Sequence, residues 1–270
     1  MISVITVNYN NSESLNVTLN NLKEQINIKF ELVIIDGGSS DNSVSVVNEY
    51  EEIVTKFVSE PDSGIYNAMN KGIGFAKGDY IIFMNAGDTF IDENTFSEIE
   101  KEMTENPGFD IYYSDAIYTK SDFEYTHHAD SSLLMSKMPF NHQSAVIKRI
   151  LHEEILYNEF YRISSDYDFF LRAHKRSATF HKLKTKIARH SLDGISVTSP
   201  FHSCLESVHA HLMNFRKIEF KNTEYYGEFF IKEIFRTTPL LSKLVVILYT
   251  FFVKGNKRAM LKTLIRKAFR

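Results

Sequence analysis

Apolar residues in the first half of the chain fall into short continuous runs separated by amphipathic stretches. Ser3 to Asn8, Phe30 to Ile35 and Tyr80 to Met84 read as strands, with a shorter one at Lys56 to Ser59. Leu15, Leu19 and Leu22 fall on one helical face, with Ser12 or Ser14 as N-cap. A helix starting near Asp41 carries Val44 and Val47. Ser63 to Lys77 sets Ile65, Met69, Ile73 and Ala76 at helical spacing, and Gly78 is placed to end that helix. Phe96, Ile99 and Met103 mark a further helix, stopped at Asn106-Pro107-Gly108. Continuous apolar strands alternating with helices predict an α/β unit with a mostly parallel sheet covered on both faces.

The second half is less regular. Asp110 to Tyr118 reads as a strand, Ser164 to Arg176 as a helix, Ser191 to Pro200 as a loop, and the pattern is mainly helical from His202 onward. This divides the chain into an α/β domain over residues 1–200 and a helical region over 201–270. In open α/β sheets, ligands bind beyond the C-terminal strand ends. The polar clusters at Asn8, Asp36, Glu60 and Asn85 to Asp88 fall there.

Composition narrows the classes. Hydrophobic residues make up 43% and charged residues 24%, which excludes disorder as the dominant state. The single cysteine, Cys204, cannot form an internal disulfide, and the N-terminus shows no signal-peptide pattern; both favour the cytosol. The net charge is −3, but seven of the Lys and Arg residues lie between Lys254 and Arg270, leaving 24 basic against 34 acidic residues elsewhere. A nucleic-acid partner for the whole chain is therefore not expected. Within that tail Met260, Leu261, Leu264, Ile265, Ala268 and Phe269 share one helical face and Arg258, Lys262, Arg266 and Arg270 another. A basic amphipathic helix reads as binding to an anionic membrane surface; packing on the protein or on a second subunit is the competing reading. Leu244 to Val253 is apolar but too short to span a bilayer.

Four segments could carry chemistry. Asn85-Ala86-Gly87-Asp88 puts a carboxylate just past a buried strand, where Mg²⁺ or Mn²⁺ could be held with substrate phosphates; the same residues also make turns. Glu60 to Gly72 reads as a strand end and a helix capped by Asp62 or Ser63, and a helix N-terminus beside a metal suits a diphosphate. Lys71 in that helix could reach the phosphates or be a solvated surface charge. Asp36 could accept hydrogen bonds from a base or ribose, and Gly37-Gly38 would let a ligand approach the backbone. Asp166 and Asp168 sit at a helix start, as caps or as a general base. His142-Gln143 forms a polar loop pair, and with one visible metal carboxylate a histidine ligand such as His190 gains weight.

Taken in order, Val4-Ile5-Thr6-Val7-Asn8-Tyr9-Asn10, Glu31 to Asp41, Glu60 to Gly72 and Gly78 to Asp88 resemble glycosyltransferase family 2, the inverting GT-A enzymes, over roughly Ile2 to Ser196. The Glu60 to Gly72 wording is most similar to the branch that builds bacterial exopolysaccharide, capsule and O-antigen. The resemblance implies the GT-A nucleotide-diphospho-sugar transferase fold, Rossmann-like, with a helical C-terminal extension. It assigns nucleotide contacts to Val7, Tyr9 and Asp36 and the sugar site to His142 and Gln143; Glu60, Asp62, Lys71, Asn85 and Ala86 are expected beside them as donor-binding residues. In the family's D-x-D motif, Asn85 and Gly87 replace the two aspartates, and Asp88 alone keeps a carboxylate; His190 matches a late metal histidine. The family's catalytic Glu-Asp pair falls on Ser165-Asp166, so Asp166 inherits the base role.

The implied reaction is a metal-dependent transfer, with Mn²⁺ or Mg²⁺, from a nucleotide-sugar donor, UDP being the common base. The implied acceptor is a hydroxyl of a saccharide or polyprenyl-linked saccharide, met at the inner face of the plasma membrane. A nucleotidyltransferase is a second reading, but Tyr9-Asn10-Asn11-Ser12 lacks its Gly-rich loop. A third is a non-catalytic sugar-nucleotide-binding subunit, with Asn85, Gly87 and Ser165 as marks of lost catalysis.

Overall fold

A computed structural model describes residues 1–25, 29–120, 123–191 and 199–215. The expected β-α alternation is present. Strand β1 (Ile2–Asn8) leads through α1 (Ser12–Lys23) to β2 (Glu31–Asp36), then α2 (Ser43–Asn48), β3 (Lys56–Ser59), α3 (Ile65–Phe75) and β4 (Tyr80–Phe83). A short β5 (Thr89–Phe90) and α4 (Thr95–Glu105) precede β6 (Ile111–Tyr113), β7 (Ala116–Lys120) and β8 (Phe123–His127). The chain continues with β9 (Ala145–Lys148), α5 (Arg149–Glu154), α6 (Ser165–Lys175), β10 (Phe180–Lys182), β11 (Ala188–Ser191) and α7 (Pro200–Phe215).

Seven strands form the main sheet in the order β10-β6-β9-β4-β1-β2-β3, all neighbours pairing parallel except where β9 runs against β4 and β6. Every residue of β1 and β2 is buried, as a strand covered on both faces requires. Alternation splits their side chains. Ile5, Val7, Val33 and Ile35 pack with α3, α5 and α6; Ile2, Val4, Leu32 and Ile34 pack with α1, α2 and α4. Each such side chain contributes about 1.5–3 kcal/mol through burial. Helix α3 lies so close to β1 that a Cβ on Gly72 would sit 2.5 Å from Ile5 Cγ2.

Several boundaries differ from the sequence pattern. Asp110 to Tyr118 is not one strand. The chain leaves the main sheet after Tyr113, and β7 joins a second sheet ordered β5-β11-β7-β8. Ser114 and Asp115 make the corner: Ser114 N bonds Ser144 O, Ser114 Oγ accepts from Ile187 N, and Asp115 accepts from Ala129 N. Asn11, not Ser12 or Ser14, holds the N-cap position of α1: its carbonyl accepts the first helical bond, from Leu15 N, and Ser12 N is bonded to Asp41. Helix α3 starts at Ile65 behind Gly64, whose φ of 132° suits glycine, so neither Asp62 nor Ser63 is its cap. Most of the expected loop from Ser191 to Pro200 lies outside the described residues, as do Leu244 to Val253 and the basic tail. Among the described residues no helix is long and apolar enough to cross a membrane.

Candidate active site

The parallel strands bring Asn8, Asp36 and Ser59 side by side at one sheet edge, and the turn after β4 lies beside them. A cleft of about 640 Å³ opens there, lined by Val7, Tyr9, Gly37, Asp62, Asn85 and Ala86 among others. A smaller hollow of about 410 Å³, near Met1, Asp79 and Tyr80, lies at the opposite strand ends, away from these groups.

Because β9 is reversed, the loop entering it reaches the edge that the parallel strands leave. His142 and Gln143 thereby meet the turn after β4. Gln143 Nε2 donates to Asp88 Oδ2 at 3.0 Å, His142 Nε2 lies 3.5 Å from Asn85 Nδ2, and His142 Nδ1 lies 3.4 Å from Asp166 Oδ2. His190, from β11, donates from Nδ1 to Asp88 Oδ1 at 2.6 Å. Six of the predicted residues (Asn85, Asp88, His142, Gln143, Asp166 and His190) thus form one connected constellation. Asp88 is 4% exposed, with its backbone N also bonded to Asn85 O.

Among the described residues no group of three or more His, Cys, Asp or Glu is arranged to hold a metal unaided. Mg²⁺ and Mn²⁺ commonly take one or two protein ligands and complete their shell with phosphate and water. Asp88 and His190 meet that need, and the buried Asn85 Oδ1 beside them has no hydrogen-bond partner. The donor set fits a divalent cation.

Other predicted residues take different roles. Asp36 is fully buried and accepts from Asn8 Nδ2, Ser39 N, Ser39 Oγ and Ser59 Oγ, which occupies its acceptor sites. Burial works to raise its pKa, but the bonds from Ser39, Ser59 and Asn8 outweigh it and hold the carboxyl below its ordinary range. It ties strand ends together instead of facing a base. Glu60 and Lys71 pair with each other at 2.7 Å, Lys71 also bonds Pro61 O, and neither lines the cleft. Asp62 does line it; its Oδ1 holds Gly64 N, and its Oδ2 would stand 2.6 Å from any Cβ on Gly37. Asp168 is buried against Arg172 at 2.7 Å and bonded by Asn214 of α7, so of the two helix-start carboxylates Asp166 alone meets the constellation.

The pattern of the sequence did not reveal the parts played by five residues. Thr18 of α1 donates to Asp88 O and Asn85 O and accepts from Gly87 N, fixing a turn whose Gly87 has φ 99°. Its signal was a polar residue on an apolar helical face. Tyr118 stands opposite His190 in register, with ring centroids 5.7 Å apart. Burial pushes its phenol up to about 12; a hydrogen bond with Asn141 works against this, while the charges of Asp166 and Asp88 add to it. Asn70 brackets Tyr157, bonding both its N and its O, and Glu159 accepts from Ser63, Asn67 and Asn70. Glu206 of α7 accepts from the N–H groups of Arg162, Ile163 and Ser164, directly before α6. The segment that ends in Asp166 is therefore gripped from α3 and from α7.

The sequence profile of Glycosyl transferase family 2 matches residues 3–170. A PGL/p-HBAD biosynthesis glycosyltransferase of Mycobacterium tuberculosis is 29% identical over 184 residues, 66% of this chain and 71% of that one. Staphylococcus aureus TarS 1–349, solved with UDP-GlcNAc, superposes with TM-score 0.65 at 14% identity over 99% of this chain and 80% of that one. In a longer TarS structure the match covers 44% of that chain. The mannosyltransferase PcManGT of Pyrobaculum calidifontis, solved with GDP-Man and Mn²⁺, gives 0.65 at 17% identity over 100% and 80%. With the profile spanning more than half of its length, the chain belongs to glycosyl transferase family 2 and has the GT-A fold.

Proposed function

We propose that this chain moves a sugar from a UDP-linked donor to a hydroxyl of a saccharide or polyprenyl-linked saccharide, with inversion, during surface polysaccharide synthesis. The observation that carries the reading is the convergence of Asp166, His142, Asp88 and His190 at the end of a cleft large enough for a nucleotide. UDP is favoured because TarS and the glucosyl-3-phosphoglycerate synthase of M. tuberculosis were solved with UDP or a UDP-sugar. The acceptor class rests on the resemblance of Glu60 to Gly72 to polysaccharide-building enzymes.

Tyr9, 66% exposed at the cleft, supplies a ring for a base, and Gly37 lets that base approach the backbone. Gly64 and Ile65 line the cleft at the start of α3, where helix N–H groups attract a diphosphate. Asp166 takes the proton from the acceptor hydroxyl, and His142 at 3.4 Å orients its carboxylate. The freed oxygen attacks the anomeric carbon opposite the leaving diphosphate, which inverts the configuration. Asp88 and His190 would hold a divalent cation, Mn²⁺ or Mg²⁺, whose contribution is to offset charge growing on the diphosphate.

Asp166→Asn is the direct test. Transfer should be abolished while UDP binding stays nearly intact, and transfer at the parent rate would show that Asp166 is not the base. Placement at the cytosolic membrane face rests on the basic amphipathic pattern of residues 254–270. Co-sedimentation of the full chain with vesicles containing phosphatidylglycerol checks it: release by added salt is expected, and no binding at low salt sinks the membrane reading.

A further inference from the structure

The second sheet carries a feature that the catalytic constellation does not use. Across three neighbouring strands the register places His190 of β11 beside Tyr118 of β7, and Tyr118 beside Tyr125 of β8. Phe123 continues the row two residues along β8. Ring centroids step outward from His190 to Tyr118 by 5.7 Å, then to Tyr125 by 5.4 Å, then to Phe123 by 6.0 Å. The last two ring pairs are tilted by only 33° and 36°. Exposure rises outward to 42% at Tyr125 and 66% at Phe123, on the sheet's edge strand.

We propose that Tyr118, Tyr125 and Phe123 form a shelf that binds the acceptor glycan, one pyranose unit per ring, with the reacting end toward Asp166. The proposal rests on the glycosyltransferase reading above. A pyranose has one C–H-rich face that lies flat on an aromatic ring, while its hydroxyls point to water or to polar neighbours. The shelf offers the first: tilted rings in a row, with the ring of His127 packed edge-on against Tyr118. Its inner end is continuous with the site, since His190 bonds Asp88 and Tyr118 interacts with Asn141, the residue before His142. Each step along the row is about the width of one sugar ring. On the opposite face of β8, Glu124 pairs with Arg189, so the aromatic character is confined to one side.

Phe123 and Tyr125 are exposed, so their replacement should leave the fold intact. The full chain and its Phe123→Ala/Tyr125→Ala variant are applied to an array of bacterial surface glycans, with UDP and Mn²⁺ binding measured calorimetrically in parallel. The parent should retain at least one glycan class. The double variant should bind it roughly tenfold more weakly or worse, the scale of losing an aromatic anchor, with UDP binding unchanged. Tyr125→Phe, which keeps the ring, should restore most of the affinity. Retention of no glycan by the parent, or equal retention by parent and variant, overturns the proposal. A dimer that becomes monomeric in the variant with glycan binding unaltered identifies the row as a self-association surface and overturns it too. Loss of UDP binding in the parent would instead count against the donor reading, and the glycan comparison would still decide the shelf.

Discussion

His152 of α5 is fully buried, stacked on Phe169 at 4.6 Å, and neither ring nitrogen has a hydrogen-bond partner. Burial, and secondarily the nearby His142, pushes its pKa from 6.5 down to about 3. Between those two values the unfolded chain binds a proton that the folded chain does not. The stabilisation from keeping His152 neutral is therefore complete above pH 6.5 and lost as pH falls toward 3. The slope is up to roughly 1.4 kcal/mol per pH unit. Urea midpoints at pH 7, 6 and 5 should drop faster for the parent than for His152→Phe, and parallel drops would contradict the assignment. At this scale the sequence revealed residues whose chemistry follows a strand end. Asp88 stood out because it follows a buried strand, His142 and Gln143 as a polar loop pair, and His190 because a single metal carboxylate left room for a histidine ligand; the family resemblance gave the last three their roles. Tyr118 did not stand out, since within an apolar run a tyrosine reads as core. The saturation of Asp36 was equally hidden, because its partners Asn8 and Ser59 lie 28 and 23 positions away.

Among the elements, α3 and α7 matter most to the site. A methyl group on Gly72 would collide with Ile5, a core residue of β1 that cannot swing aside. Gly72→Ala should destabilise the fold by about 1–3 kcal/mol, seen as a lower melting temperature; no loss would mean that α3 shifts freely. Helix α7 acts through Glu206, whose carboxylate collects three consecutive N–H groups ahead of Asp166. Glu206→Ala should lower kcat roughly tenfold to a hundredfold by misplacing the base, with donor KM little changed and partial rescue by Glu206→Gln. A matched rise in KM with kcat untouched would argue for a donor-site effect. Helical and strand periodicity made α1 to α4 legible. The split of Asp110 to Tyr118 between two sheets was not, because its cause is long-range: Ser144 and Ile187 bond the corner from elsewhere in the chain. The grip of Asn67 and Asn70 on the segment before α6 was hidden for the same reason, although their motif was conspicuous.

For the molecule as a whole, donor and cation should stabilise the fold by mass action. UDP with Mn²⁺ should raise the melting temperature more than either alone, and Asp88→Ala should erase the synergy while leaving any UDP-only shift. Additive shifts in the parent would show that nucleotide and metal do not share a site. The α/β class and the mostly parallel sheet were legible in the pattern, since continuous apolar strands alternating with helices favour a sheet covered on both faces; the reversal of β9 was not.

The reversal of β9 has a consequence for engineering. Its entry loop carries His142 and Gln143 to the rim where the parallel strands β1, β2 and β4 end. Transplanting this rim onto a scaffold with uniformly oriented strands would strand that pair on the far side of the protein, and no exchange of side chains would bring it back.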